Sequence, residues 1–230
     1  ISQINEWREE HPLEEADPSV PLTQTWAIRR LSEITEGRAS VVTDVGQHQM
    51  WAAQHYTCDR NNGFFSAGGL GAMGFGLPGA MGVQVARPDD EVWAILGDGG
   101  FMMTVQEMAT IVEENIPVKI LLMNNSALGM IRQWQNMMYN SNYVAAFFHK
   151  NPNFVKLAEA FGMPAWRAEH PDQLEAAMQA ARRHNGPCLI DAVVDEVHNV
   201  FPMVRAGMGL TEMDEAENAR MLVAKSREEY

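Results

Sequence analysis

The sequence has little cysteine and no long apolar run. Cys58 and Cys188 are the only cysteines in 230 residues, which excludes a disulfide framework and a cysteine-based zinc site. No apolar stretch approaches the roughly 20 residues that span a bilayer, and the first residues lack a signal-peptide pattern. We therefore expect a protein of a reducing, cytoplasmic compartment with no membrane partner.

Basic residues are scarce as well. Lys and Arg number 17 against 30 Asp and Glu, so the formal net charge is −13. Such a chain repels the phosphate backbone of DNA and RNA, which argues against a nucleic-acid partner. A small anionic cofactor could still bind, but backbone amides or a metal ion would have to offset its charge.

What is present is the pattern of a globular α/β protein, with 46% apolar and 20% charged residues. Short apolar, β-branched runs alternate with helical periodicity, which predicts a three-layer fold: a parallel sheet with helices on both faces. We expect strands at 39–45, 91–96, 117–123 and 187–194, helices after Thr23 and at 47–56, 101–114, 128–138, 154–161 and 171–184, and a glycine-rich turn leading into a helix within 68–85.

Polar side chains follow two of these strands. Asp98 lies in the run 97–100 (GDGG) and Asn125 follows the next strand along the chain. Strands that are consecutive in a parallel sheet are often neighbours, so both side chains are expected at one sheet edge. Taken alone, the Gly-Asp-Gly motif is explained equally well by a capping Asp in a tight turn, and the Asn124-Asn125 pair is better explained by a turn. Together, they favour a Mg²⁺ site, because Mg²⁺ prefers oxygen ligands.

Two further segments are candidates for a ligand-binding cleft at the same edge of the predicted sheet. Gln47 and His48 follow Gly46 at a third strand end, although a lone histidine is more often structural than catalytic. The run 69–74 is a literal G-x-G-x-x-G, but a dinucleotide site needs a preceding strand and 61–65 is a poor one. We therefore discount a nucleotide-binding oxidoreductase and expect a backbone that closely approaches a bulky ligand, with Met73 as an apolar wedge.

Longer runs resemble one family. They are 44–54 (DVGQHQMWAAQ), 66–78 (SAGGLGAMGFGLP) and 128–135 (LGMIRQWQ). With the GDG and Asn124-Asn125 pair, which resembles the thiamin diphosphate motif, they are similar to the catalytic subunit of acetohydroxyacid synthase (acetolactate synthase). The resemblance runs from about Pro21 to Met203. It covers the C-terminal third of such a subunit and implies its thiamin diphosphate-binding fold.

The resemblance implies a metal centre and a substrate pocket. Asp98, Asn125 and the carbonyl of Ala127 would hold Mg²⁺, which bridges the diphosphate. Trp134 would shape the pocket of the second substrate, where inhibitors also bind.

The resemblance also implies residues that contact the cofactor. Gln47, His48 and Met73 would be the catalytic group, with the first two on the reactive side and Met73 supporting the bent cofactor. Further cofactor contacts are implied for Gly46, Gly71, Ala72, Gly99, Gly100, Gly129 and Met130.

The implied reaction is decarboxylation of pyruvate and transfer of the two-carbon unit to a second 2-oxo acid, giving 2-acetolactate or 2-aceto-2-hydroxybutyrate for branched-chain amino-acid biosynthesis. The family also implies FAD, bound mostly outside this chain, and an activating Glu in an upstream domain. A homodimer or larger assembly and a regulatory subunit are further implied partners. We therefore expect this chain alone to be inactive.

The same resemblance divides the chain into three regions. Residues 1–20 would be an exit linker from an upstream domain, 21–195 the thiamin diphosphate- and Mg²⁺-binding domain, and 196–230 a tail that folds over the active site. Because no start methionine is present, we expect a fragment or one half of a split enzyme.

Two other functions remain open at this point. One is another thiamin diphosphate-dependent decarboxylase, carboligase or oxidase, against which the runs containing Gln47 and Trp134 argue. The other is a non-catalytic assembly module, against which the intact pair Asp98 and Asn125 argues.

Overall fold

The computed structural model describes residues 2–10, 13 and 22–215. Its helices are α1 (Ser2–Glu10), α2 (Gln24–Ile34), α3 (Gln47–His55), α4 (Gly76–Ala86), α5 (Asp98–Met103), α6 (Glu107–Glu113), α7 (Gly129–Met138), α8 (Phe154–Ala160) and α9 (Pro171–Arg183). Its strands are β1 (Ser40–Thr43), β2 (Phe64–Ser66), β3 (Val92–Gly97), β4 (Lys119–Asn124), β5 (Ala165–Ala168) and β6 (Cys188–Val193).

The six described strands form one sheet in the order β2-β1-β3-β4-β6-β5, and every described pairing is parallel. The central register pairs Thr43 with Ile95 and Gly97 with Met123. The carboxyl ends of β1, β3 and β4 are therefore neighbours along one edge of the sheet, which is where open α/β sheets bind ligands. The predicted α/β fold with a parallel sheet is confirmed.

The sheet is covered on both faces because its central strands are apolar on both sides. Trp93 and Ile95 of β3 belong to one core, which α2, α3 and α9 complete. Ala94 and Leu96 belong to the other, which α4, α5, α6 and α8 complete. Burial of both faces explains why these strands read as continuous apolar runs instead of alternating ones.

The predicted start of α2 is confirmed. Thr23 has extended backbone angles, and its side-chain oxygen accepts a hydrogen bond from Trp26 N at 3.1 Å. That bond satisfies one of the first-turn amides that have no partner inside a helix.

The single helix predicted over 101–114 is wrong. The structure divides it into α5 and α6. At the break, Thr104 Oγ1 donates to the Gly74 carbonyl at 3.2 Å, so the glycine-rich turn packs where the helix would have continued. This tertiary contact outweighs a modest local helix preference.

Two edge strands were not predicted. The segment 61–65, judged a poor strand, contributes to the three-residue strand β2. The four residues of β5 pair with β6 and carry the half-exposed Arg167. Short, half-polar edge strands lack the apolar run that identifies the central ones.

The structure covers only part of the predicted terminal regions. Of the predicted linker 1–20, residues 2–10 form helix α1, whereas residues 1, 11–12 and 14–20 lie outside the described residues, as do 216–230 of the predicted tail. Cys58 and Cys188 are not disulfide-bonded. Within the described residues, no helix is both long and apolar enough to cross a bilayer.

Candidate functional site

A cleft of about 230 Å³ opens beyond the carboxyl ends of β1, β3 and β4. Three connections build it: the start of α3 after β1, the start of α5 after β3, and the loop and first turn of α7 after β4. The residues that line it are Gln24, Val45, Gly46, Gln47, His48, Gly71, Met73, Gly97, Asp98, Gly99, Gly100, Met123, Asn125, Ala127, Leu128, Gly129, Met130, Ile131 and Trp134.

The cleft gathers every sequence-predicted site residue except Ala72. Ala72 is exposed and does not line the cleft, although its neighbours Gly71 and Met73 do. The gathering follows from the strand register, because the predicted residues directly follow the ends of adjacent parallel strands. The catalytic, cofactor-binding and metal-binding roles of these residues remain predictions.

Asp98 is the buried charge of the cleft. Its side chain is 1% exposed, and it accepts hydrogen bonds from Asn151 Nδ2 (2.7 Å to Oδ2) and from Gly99 N (2.9 Å to Oδ1). Burial raises the pKa of Asp98 to about 6, while these bonds and one from Ser126 N lower it. The group is thus largely ionised at pH 7, and a nearby cation would favour that form further.

The loop after β4 is held in a defined shape. Ser126 has a positive φ of 53°, and the side chain of Asn125 accepts from Ala127 N at 3.2 Å. Leu128 N donates to Ala146 O and Phe148 N to Ser126 O, each at 2.8 Å. These bonds fix the backbone on both sides of Ala127, the predicted carbonyl ligand.

A polar network behind the sheet edge was missed by sequence reasoning. Asn151 Nδ2 also donates to Asn124 Oδ1 at 3.1 Å, and Asn124 Nδ2 donates to Asp191 Oδ1 at 2.8 Å. Arg167 donates to Asp191 Oδ2 at 2.8 Å. The sequence could have indicated this network through Asp191, because it is a charged residue within the apolar run of β6. Asn151 lies in a loop and gave no signal.

Gln47 and His48 begin α3 with buried side chains. Gln47 Nε2 donates to Gln133 Oε1 at 2.7 Å and to the His198 carbonyl at 3.0 Å. Gln47 Oε1 and His48 Nε2 are buried without a partner among the described residues. Burial lowers the pKa of His48 to about 4, so the ring is neutral at pH 7.

Asp44 connects the end of β1 to the glycine-rich segment. Its carboxylate accepts from Val45 N at 2.6 Å and from Gly74 N at 2.9 and 3.0 Å. Burial raises the pKa of Asp44, while these backbone bonds lower it. The sequence offered Asp44 only as part of the family-like run, with no role.

The glycine-rich segment itself is open where close ligand approach was expected. A Cβ added at Gly68, Gly69 or Gly71 would meet no protein atom within 4 Å. At Gly74, with φ +90°, it would contact Met103 and Thr104 at 3.2 Å. The segment packs on the protein at its end and leaves its beginning free, so the expected close approach to a ligand remains a prediction.

The unpaired polar side-chain atoms in the described part of the cleft are hydrogen-bond acceptors. Gln24 Oε1, Gln47 Oε1 and His48 Nε2 are buried without partners in the described part of the chain, and Asp98 adds a negative charge. No Lys or Arg occurs among the described lining residues. An anion can occupy such a cleft only together with a cation, helped by the free amides in the first turn of α7.

The ligands for such a cation fit Mg²⁺. Among the residues described, no group of three or more His, Cys, Asp or Glu side chains could hold a metal ion. The protein therefore offers one carboxylate with amide and carbonyl oxygens, which suits a hard cation that takes its remaining ligands from water and a bound phosphate.

The outer part of the cleft is apolar and partly open. Trp134 is 44% exposed and Ile131 41%, and both lie on α7 with Met130. The polar floor and the apolar rim give the cleft two chemically distinct ends.

The fold and the cleft define a class of protein. Residues 44–192 match the thiamine pyrophosphate enzyme, C-terminal TPP binding domain. The chain therefore belongs to this family, and thiamin diphosphate is the cofactor of its domain. The match includes 69–74, in agreement with the rejection of a dinucleotide site.

The similar proteins are more specific. The chain is 43% identical over 206 residues to acetolactate synthase isozyme 2 large subunit of Escherichia coli (strain K12), covering 90% of this chain and 38% of that protein. It is 44% identical over 212 residues to acetolactate synthase 1, chloroplastic, of Nicotiana tabacum (89% and 32%). It is 44% identical over 219 residues to the mitochondrial acetolactate synthase catalytic subunit of Saccharomyces cerevisiae (92% and 31%). The chain thus spans about a third of the length of these curated relatives.

Proposed function

We propose that this chain is the thiamin diphosphate- and Mg²⁺-binding domain of an acetolactate synthase. This transferase would decarboxylate pyruvate and join the two-carbon unit to a second 2-oxo acid, in branched-chain amino-acid biosynthesis. The observation that carries the proposal is the acceptor-lined cleft, where Asp98 and Asn125 meet at adjacent strand ends with no basic side chain. Identities of 43–44% to acetolactate synthases support the choice within the family.

Asp98, Asn125 and the Ala127 carbonyl are the proposed Mg²⁺ ligands. Asp98 supplies the charge, and its orientation is set by Asn151 and Gly99. The Ala127 backbone is fixed by the paired loop around it. Gly99, Gly100 and Gly129 line the cleft with backbone alone, because a Cβ added there would collide with Leu128, Asp44 and Gln47, respectively.

When bound, thiamin diphosphate would supply the carbon centre that attacks a 2-oxo acid and the ring that stores the electron pair left behind when carbon dioxide departs. This chain contributes binding and orientation. Gln47 and His48 offer neutral acceptors on the buried side of the cleft, so no charge competes with the reacting group. Met73 lines the cleft as an apolar support.

Trp134 is proposed to shape the pocket for the second 2-oxo acid. It lies on the apolar rim, away from the polar floor. We predict that Trp134→Leu changes acceptor choice and inhibitor sensitivity while thiamin diphosphate still binds. Competition between pyruvate and 2-oxobutyrate, together with cofactor titration, measures both properties. Loss of cofactor binding would show that Trp134 belongs to the cofactor site and that its assignment to the acceptor pocket is wrong.

Other domains are proposed to complete the enzyme. The activating Glu, most FAD contacts and the partner surfaces of a homodimer or larger assembly would lie outside this chain, and a regulatory subunit is a further proposed partner. The two free cysteines accord with the proposed cytoplasmic location. This chain alone should therefore bind the cofactor without turning over.

The decisive experiment combines binding with product analysis. The chain alone and together with the remaining domains is titrated with thiamin diphosphate and Mg²⁺, then supplied with pyruvate. We expect binding by both and acetolactate only from the complete assembly. Acetaldehyde as the main product would indicate a decarboxylase. Cofactor binding without any product from the complete assembly would indicate a non-catalytic module, and turnover by the chain alone would contradict the need for other domains.

A further inference from the structure

The orientation of Gln133 is fixed by backbone groups. Its side chain is fully buried on α7. Its Oε1 accepts from Val200 N at 2.8 Å, and its Nε2 donates to Val200 O at 3.0 Å. Because a backbone N–H can only donate and a carbonyl can only accept, the side-chain amide of Gln133 has one possible orientation.

That orientation determines the orientation of Gln47. Gln133 Oε1 accepts a second hydrogen bond at 2.7 Å, and the group donating it is Gln47 Nε2. The other hydrogen of this Nε2 goes to the His198 carbonyl at 3.0 Å, which can only accept. Both contacts would become acceptor–acceptor repulsions if the amide of Gln47 were reversed.

Gln47 is therefore left with one free polar atom, its Oε1. The side chain is 2% exposed and lines the cleft, and this oxygen has no partner in the described residues. It lies over the first turn of α7, where a Cβ on Gly129 would collide with it and with Asn125 Nδ2. Glycine at position 129 therefore allows this oxygen to pack against the first turn of α7.

We propose that Gln133 is a positioning residue, which fixes the amide of Gln47 so that the cleft meets its ligand with a carbonyl oxygen. This inference rests on the proposed function, and it adds a chemical requirement to it. The ligand group at this point must be a hydrogen-bond donor, such as an amino group or a cation-bound water, because an ionised phosphate oxygen would be repelled.

A double-mutant cycle in the intact protein tests the proposal, with the Kd for thiamin diphosphate at saturating Mg²⁺ as the readout. Gln133→Met removes both hydrogen-bonding groups at nearly constant volume, and we expect about tenfold weaker binding, the effect of losing a well-made hydrogen bond. Gln47→Met should weaken binding by a similar factor. The double variant should bind no more weakly than Gln47→Met alone, because Gln133 acts only through Gln47.

A matched control separates positioning from support of the 198–200 segment. Asn199 Oδ1 accepts from Arg132 at 2.8 Å, and its Nδ2 donates to Asn136 at 3.1 Å, so Asn199→Ala loosens this segment without touching Gln47. We expect its Kd to stay within about twofold of the wild type. Urea unfolding verifies that each variant is folded.

The outcomes distinguish the positioning role of Gln133 from the proposed function. Wild-type binding with an unchanged Kd for Gln133→Met, or additive losses in the double variant, would overturn the positioning role alone. An equal loss in Asn199→Ala would also overturn it, by assigning Gln133 to structural support. No binding by the wild-type protein would overturn the proposed function and this inference together.

Discussion

The two walls of the cleft are built differently. The wall formed by the ends of β3 and β4 is held from behind, since Asp98 is bonded to Asn151, and Asn151 to Asn124. The opposite wall, the glycine-rich segment 68–75, begins with glycines that have no neighbour and with Leu70, which is fully exposed at 102%. The first wall, called the polar wall below, is preorganised by contacts within this chain, whereas the second, called the open wall, leaves its first residues exposed among the described residues.

This difference predicts where substitutions act. Changes in the polar wall should alter cation and cofactor binding, because its geometry already exists before binding. Changes in the open wall should leave the isolated chain nearly unaffected. The following predictions test the contrast in order of decreasing effect.

The largest effect is expected for Asp98→Ala. It removes the charged cation ligand, so Mg²⁺-dependent binding of thiamin diphosphate should weaken by about 100-fold or more, roughly 3 kcal/mol. The fold should survive, because the carboxylate is stabilised by few groups and is costly to bury. Calorimetric titration measures the first effect and urea unfolding the second. Unchanged affinity would show that the metal assignment is wrong.

A pH effect on stability follows from His48, which lines the cleft at the start of α3. Burial lowers its pKa to about 4 from an unfolded value of 6.5. Between these values the unfolded chain binds more protons than the folded one, so stability falls as the pH decreases through this window. His48 should account for about 2 kcal/mol of lost stability between pH 7 and pH 5.

His48→Gln should remove its share of that loss. His55 also has a pKa lowered to about 4, mainly by burial and then by Arg29, so a comparable slope should remain in the variant. Urea unfolding at several pH values provides the comparison. An identical slope in wild type and variant would show that His48 titrates normally and that its ring is open to water.

Asn151→Ala tests the network behind Asp98. Loss of the 2.7 Å bond to Asp98 should weaken Mg²⁺ affinity by about tenfold, the usual lower limit for residues that orient metal ligands. Asn153→Ala is the matched control two positions away. Asn153 caps α8 through Lys156 N at 2.9 Å, so its loss should cost about 1 kcal/mol of stability and leave Mg²⁺ affinity unchanged. Equal affinities of the two variants for Mg²⁺ would argue against the network.

The smallest effect is expected in the open wall. Leu70→Ala should change the free energy of unfolding by less than about 0.5 kcal/mol, because the side chain contacts solvent. The same substitution at the fully buried Leu77 should cost about 2–5 kcal/mol. Chemical denaturation of both variants makes the comparison. A loss at position 70 close to that at position 77 would show that this wall is packed.

The same two walls show what the sequence could reveal. Asp98 and Asn125 were predictable because apolar runs locate the strands and parallel neighbours bring their ends together. Asn151 and Gln133 were not, since Asp98, which Asn151 orients, and Val200, which orients Gln133, lie 53 and 67 positions away, and no local pattern links them. The break between α5 and α6 was missed for a related reason: the Gly74 carbonyl that binds Thr104 is remote in sequence.

The central claim is that a cation, and no basic side chain, allows this acceptor-lined cleft to hold a diphosphate. The most direct test is to titrate the intact protein with thiamin diphosphate in excess Mg²⁺ and again after EDTA treatment. We predict that removal of divalent ions weakens binding by at least about 100-fold, roughly 3 kcal/mol. Equal affinity with and without divalent ions would contradict the claim.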